Sequence, residues 1–169
     1  MSGPAGYWPS RWPGEDAGPR RTQCPGFGSG PALDGGHLDV RSREAIAATM
    51  VVLRDPGEVF LLRHTFGPDA IAWVERVDPI TLDSLARSDD LPGGPTWPGG
   101  MAAHANGSLH VVFGNHAYRL GPDLSVLASR ELPRLLPYNS FVVVPDGHLV
   151  TKDFGGLLPG GDSATHAPP

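Results

Sequence analysis

The chain has 169 residues and a formal net charge of -5, which offers no basic surface of the kind that nucleic-acid binding requires. Its one cysteine, Cys24, excludes an internal disulfide framework and a multi-cysteine zinc site. No apolar run is long enough to cross a bilayer. We therefore expect neither a nucleic acid nor a membrane as a partner.

The N-terminal region, residues 1–40, is broken by glycine and proline, as in CPGFGSGPALDGG. It shows neither helical nor strand periodicity, so it cannot bury enough apolar surface to offset its ordering entropy. We predict a disordered leader. Its first apolar residues alternate with proline and glycine, unlike a secretory signal, and this pattern favours a cytoplasmic protein.

Three hairpin patterns follow the leader. They are MVVLRDPGEVFLLR from Met50, MAAHANGSLHVVFG from Met101 and FVVVPDGHLVTKDF from Phe141. Each has an apolar strand, a turn with glycine and a second, alternating strand. Asn-Gly and Asp-Gly in this position indicate two-residue turns in which both central residues have positive φ.

The segments between the hairpins also correspond. RVDPITLDSLARSDDLP, residues 76–92, aligns with RLGPDLSVLASRELP, residues 119–133. Each predicts two more strands around a proline turn, and four strands in roughly 40 to 45 residues is the period of a β-propeller blade. We predict strands at 48–53, 58–64, 70–77 and 84–90 in blade one and at 100–105, 109–114, 117–120 and 125–131 in blade two.

The predicted fold is therefore all-β: a partial propeller of about two and a half antiparallel blades over residues 47–156, with a disordered tail at 157–169. Blade three begins at Asn139 with a hairpin that ends at Asp153. Propellers close with four to eight blades, so this number leaves blade faces and strand edges open. We expect a piece of a longer propeller that self-associates through its open blade edges.

PYNSFVVVPDGHLVTKDF, which begins at Pro137, resembles the blade start of NHL, YVTN and gluconolactonase-type propellers. The resemblance implies that Asn139 and Asp153 are metal ligands for a divalent cation such as Ca²⁺ or Zn²⁺. That cation would polarise a lactone carbonyl, with further oxygen ligands from other blades. Alternatively, Asn139 bonds its own backbone in a turn and Asp153 is a solvated charge at a strand end.

Histidines are frequent in this region, but no pair has a spacing that fixes one metal ion. We interpret them as surface or hydrogen-bonded residues. Strand alternation places His110 on the face of Val112, opposite to Val111. The histidines concerned are His104, His110, His116 and His148.

Large aromatic residues are expected to fill the faces between blades. They are Trp73, Trp97, Phe113 and Phe141. Together these patterns favour a non-catalytic binding or scaffold unit without a cofactor, whose ligand is an unidentified small molecule or protein. The alternative is part of a metal-dependent lactonase-type hydrolase. A quinone-binding propeller dehydrogenase is a further option, for which we find no cofactor contacts.

Overall fold

A computed structural model describes residues 6–24 and 39–154 of the chain. These residues form an all-β structure with one short 3-10 turn, Glu15–Ala17, and no helix of the length needed to cross a bilayer. The all-β class is thus confirmed. The strands are β1 (Ala48–Leu53), β2 (Val59–His64), β3 (Ala70–Val77), β4 (Ser84–Arg87), β5 (Leu91–Gly94), β6 (Gly100–Ala103), β7 (Leu109–Phe113), β8 (His116–Leu120), β9 (Val126–Glu131), β10 (Tyr138–Val143) and β11 (Leu149–Asp153).

The strands form three antiparallel sheets in chain order. The first sheet has the order β1-β2-β3-β4, with β5 also paired to β3. The second sheet has the order β6-β7-β8-β9, and the third contains β10 and β11. The predicted antiparallel sheets are confirmed, with four strands in the second sheet, as predicted, and five in the first. The predicted tail at 157–169 lies outside the described residues.

The fourth predicted strand of the first sheet, residues 84–90, is shorter in the structure, where β4 ends at Arg87 and a separate strand, β5, begins at Leu91. β4 pairs with one half of β3 and β5 with the other. At the break, the Ser88 N–H donates to the Val74 carbonyl oxygen at 2.9 Å, and the Val74 N–H donates to Ser88 Oγ at 3.0 Å. The hydroxyl therefore replaces a backbone carbonyl in the ladder, so the strand can break without leaving a buried N–H unpaired.

The three hairpins have the same loop geometry. The last paired residues are Leu53 and Val59 in the first, Ala103 and Leu109 in the second, and Val143 and Leu149 in the third. Each loop has its glycine at positive φ: 82° at position 57, 86° at position 107 and 89° at position 147.

The predicted two-residue turns are wrong, because Asn106 and Asp146 are absent from the residues with positive φ. In the third hairpin the Val144 N–H donates to the His148 carbonyl oxygen, and the Gly147 N–H donates to the Val144 carbonyl oxygen. A two-residue turn at Asp146-Gly147 would require an N–H from the preceding proline, which has none. The chain instead forms a longer loop in which only glycine has positive φ.

The first two strands of the second sheet, β6 and β7, are buried on both faces. Alternate residues of β7, Leu109, Val111 and Phe113, pack against the first sheet, and Val112 packs against the third. This confirms the predicted alternation. First-sheet residues in the same core include Val52, Phe60, Leu62, Ala72 and Val74. The third sheet contributes Tyr138, Phe141 and Val143 to the other core.

Part of the predicted disordered leader is packed against the sheets. Residues 6–14, which we call the N-terminal segment, lie along the free edge of β6. The Trp8 N–H donates to the Ala103 carbonyl oxygen at 2.9 Å, and the Ala103 N–H donates to the Pro13 carbonyl oxygen at 2.7 Å. The expectation of an unpacked leader is therefore wrong for these residues, because a strand edge supplies the partners that their composition does not reveal. Residues 25–38 lie outside the described part of the chain.

We expect Phe113→Ala to lower the free energy of unfolding by about 3–5 kcal/mol, because the change leaves a cavity between the first two sheets. Phe113 is fully buried there, whereas Phe66 is 70% exposed. The matched control Phe66→Ala should change the free energy by no more than about 0.5 kcal/mol. Urea denaturation measures both variants. Equal effects would contradict the packing described above.

Candidate functional site

Asn139 and Asp153, the predicted metal ligands, both lie in the third sheet but on opposite faces. A regular ladder extended from Val143 and Leu149 would place them directly opposite each other. A bulge between Asn139 and Phe141 shifts the register, so that Asn139 pairs with Lys152 and Asp153 pairs with Tyr138. Neighbouring pairs in a sheet point to opposite faces. This hairpin therefore does not present both oxygen ligands to one cation, and their metal role stays a prediction.

Ser140 forms the bulge that separates them. Its φ is 43°, and its carbonyl oxygen accepts a hydrogen bond from Thr151 Oγ1 at 2.8 Å. Asp153 Oδ2 lies 3.2 Å from Arg134 Nη1, so the carboxylate is engaged with a cation from the preceding loop. Within residues 6–24 and 39–154, no three His, Cys, Asp or Glu side chains converge as a metal site would require.

Two of the histidines meet beside the second hairpin loop. The ring centroids of His104 and His110 are 4.8 Å apart. The Asn106 N–H donates to His104 Nδ1 at 3.2 Å, and His110 Nε2 lies 3.1 Å from Ser108 Oγ. Ser108 Oγ also donates to Asn106 Oδ1 at 2.6 Å. The loop residues therefore fix both rings on the side that faces the third sheet.

Burial, together with the charges of the neighbouring His104 and Arg119, lowers the pKa of His110 to about 4. Arg119 is the residue opposite His110 on β8. A ring with so low a pKa is neutral at physiological pH. His110 is therefore a weak base, and its bond with the buried Ser108 hydroxyl is better suited to holding the loop than to activating a nucleophile.

This histidine contact was missed from the sequence, although a signal was available. The register of the hairpin places His110 opposite Ala102, and His104 follows Ala102 by two residues. Diagonal cross-strand neighbours of this type share a face and lie within reach of aromatic rings. The other two histidines considered in the sequence analysis are separate from this pair. His116 stacks with Tyr118 at 6.0 Å, and His148 Nδ1 lies 2.9 Å from Asp146 Oδ1 at the surface.

The outer face of the first sheet carries a tryptophan between two arginines. The guanidinium carbons of Arg63 and Arg87 lie 5.2 and 4.8 Å from the centre of the Trp73 ring. Glu75 on the same strand accepts hydrogen bonds from Arg63 and Arg43. These hydrogen bonds outweigh burial and lower the pKa of Glu75. Trp73 was expected to fill a face between sheets, but here it lies on a face that no described element covers.

The other three aromatic residues predicted to fill such faces have different surroundings. Phe113 lies between the first and second sheets, and Phe141 lies between the second and third, as expected. Trp97 instead stacks on Phe154, with ring centroids 5.0 Å apart.

The first two sheets are joined at their hairpin loops by a buried arginine. Arg54 makes a two-pronged contact with Glu58, at 2.8 and 2.9 Å, and Arg54 Nη1 donates to the Gly107 carbonyl oxygen at 2.7 Å. Hydrogen bonding from Arg54 lowers the pKa of Glu58. His104 follows β6 as Arg54 follows β1, and it lies beside the glycine of the third hairpin loop. A Cβ atom at Gly147 would lie 3.2 Å from His104 Nε2.

The chain has no match among protein-family models, curated proteins or solved structures.

We expect acid to destabilise the fold through His110. The pKa of His110 in the folded chain lies below the ordinary value of 6.5, so the unfolded chain binds a proton first as the pH falls. The free energy of unfolding should fall between pH 6.5 and about 4, by less than about 1.4 kcal/mol per pH unit because the ring is partly exposed. Urea denaturation between pH 7 and 5 should show a smaller pH dependence for His110→Gln.

His148→Gln is the matched control, because the His148 side chain is 81% exposed. Its stability should follow the pH dependence of the unmodified chain. If His110→Gln and His148→Gln change that dependence equally, burial of His110 is not its source.

Proposed function

We propose that the chain is a non-catalytic binding or scaffold unit built from β-propeller-type blades, each sheet being one blade. The observation that carries the proposal is the repeated contact between consecutive hairpins. Arg54 and His104 occupy equivalent positions after β1 and β6, and each lies beside the hairpin glycine of the next sheet. Arg54 donates to the Gly107 carbonyl oxygen, and a Cβ atom at Gly147 would lie 3.2 Å from His104 Nε2. Repeat folds stack equivalent units through equivalent contacts of this type.

The order of the strands supports the same arrangement. β1 contacts β6, and β6 contacts β10, so the first strands of consecutive sheets are neighbours. At the other side of the sheets, every residue of β9 is exposed, as are most residues of β4. Inner first strands and exposed fourth strands are the arrangement expected of blades around an axis.

The side chains that could act in catalysis are instead engaged in structural contacts, which supports a binding function over a catalytic one. Glu75 is held by two arginines, and Asp153 is engaged by Arg134. Ser108 and His110 are bonded within their own loop.

Lactone hydrolysis tests this function against the hydrolase alternative. We expect no hydrolysis of a simple aldonolactone above the buffer rate with either Ca²⁺ or Zn²⁺, because the bulge at Ser140 separates Asn139 from Asp153. Asp153→Asn should leave the rate unchanged, and Lys152→Ala is the neighbouring control. Metal-dependent hydrolysis that Asp153→Asn abolishes and Lys152→Ala retains would contradict the proposal.

We also propose that copies of the chain associate through the outer face of the first sheet. Val51 and Leu85 on that face are 46% and 52% exposed. We expect Leu85→Asp to lower the average mass in sedimentation velocity, because it places a charge in the contact. Leu135→Asp is the control, since Leu135 is 75% exposed but lies in the loop between β9 and β10. Equal masses for the two variants would exclude this face.

A further inference from the structure

The N-terminal segment occupies the free edge of β6 through two isolated antiparallel bridges, and the residues between the bridges extend to the first sheet. Gly14 lies opposite Ala102 and Tyr7 lies opposite His104, both in antiparallel orientation. The hydrogen bonds of Ala103 with Trp8 and Pro13 described above complete the pairing. Main-chain pairing of this kind provides affinity in strand-addition complexes, while side-chain pockets provide specificity.

Tyr7 is the side chain that fills the pocket. It is 4% exposed and lies between the second and third sheets, where it contacts a core that contains Val112 and Phe141. Its hydroxyl oxygen accepts a hydrogen bond from the Val143 N–H at 3.0 Å. Tyr7 therefore joins the free edge of β10 to the segment that covers β6, and one buried ring anchors the whole segment.

The same segment reaches the first sheet. The Leu53 N–H donates to the Trp12 carbonyl oxygen at 2.8 Å, and the Ser10 hydroxyl donates to the Leu53 carbonyl oxygen. Trp8 Nε1 donates to Asp55 Oδ1 at 3.1 Å in the first hairpin loop. The N-terminal segment thus contacts the first strands of all three sheets, β1, β6 and β10. We call the surface that these strands form for it the groove.

We propose that the groove also accepts the N-terminal segment of a second copy, so that two chains exchange their segments and form a closed dimer. The second copy is the occupant with a demonstrated fit, because it carries the identical residues 6–14. The contacts are the same within one chain and between two, so exchange is a low-cost route to a dimer. The equilibrium between the monomer and the exchanged dimer depends on chain concentration.

The length of the connection permits both arrangements. Residues 25–38, between the two described parts of the chain, span at most about 50 Å when fully extended. A compact chain of this size has a diameter of about 40 Å, estimated from its radius of gyration. The connection can therefore reach a neighbouring molecule. This exchange does not rest on the propeller proposal, since it requires only the edge of β6 and the pocket for Tyr7.

A pair of engineered cysteines tests the exchange. A Cβ atom at Gly14 would lie 3.1 Å from Tyr7 Cε1, so the ring must shift slightly, and 3.3 Å from the Ala102 Cβ atom, close to the roughly 3.5–4.5 Å found in disulfides. The φ of Gly14 is -176°, which any residue adopts. In a Cys24→Ser background, one chain carries Gly14→Cys and a differently tagged chain carries Ala102→Cys. A single chain with both changes shows that the disulfide can form.

The two tagged chains are co-expressed, purified and oxidised. We expect a disulfide-linked heterodimer, at least fivefold more abundant than in a control pair of Gln23→Cys with Ala102→Cys. Gln23 is exposed and, like Gly14, precedes residues 25–38, but it lies outside the N-terminal segment. Adding Tyr7→Ala to both chains should remove the excess. A yield equal to that of the control pair, or no heterodimer, would overturn the proposal.

Sedimentation equilibrium provides a second measurement if Ala102→Cys prevents folding. The otherwise unmodified chain should contain a dimer whose fraction falls in Tyr7→Ala, whereas Leu85→Asp should leave this dimer intact and remove only larger assemblies. An exchanged dimer carries two outer faces of the first sheet, so contacts through those faces join dimers into larger assemblies, whereas exchange alone closes at two chains. A chain that is monomeric at every concentration, or a dimer unaffected by Tyr7→Ala, would overturn the exchange.

Discussion

The pairing of the free edge of β6 is the contact on which the arrangement of the three sheets depends. β6 is the most buried strand of the second sheet, and its outward N–H and C=O groups would be costly to leave unpaired away from water. The N-terminal segment supplies those partners and, through Tyr7 and Trp12, also contacts the third and first sheets. A region with little capacity to fold alone thus holds the first strands together.

Burial of β6 and β7 on both faces explains why their sequences differ from those of the corresponding strands in the neighbouring sheets. In β7 the residues that face both neighbouring sheets are apolar, with His110 as the exception near one end. The first sheet has one uncovered face, and there the sequence carries Trp73, Arg63 and Glu75 instead. Hairpins of similar geometry therefore differ in sequence, because their side chains depend on whether another sheet covers the face.

Much of the fold could be predicted from the sequence, because strand alternation and turn glycines are local signals. The hairpins, most strand bounds and the facing of His110 all depend on residues a few positions apart. The packing of Tyr7 could not be predicted in this way, because its partners, Val112 and Val143, are more than a hundred residues distant. A tyrosine among prolines and glycines has no periodic pattern that indicates burial.

The geometry of the candidate metal site also depends on a contact that the local sequence does not reveal. The motif that suggested it placed Asn139 and Asp153 at corresponding ends of two paired strands, and a regular ladder would have brought them together. One bulged residue, Ser140, shifts the pairing and moves them to opposite faces. A bulge depends on how the strand fits the neighbouring sheet, and Ser140 is buried at that contact: its Cα atom lies 2.9 Å from where a Cβ atom at Gly100 of β6 would lie. The packing of the third sheet on the second thus constrains the geometry of any site that this hairpin provides.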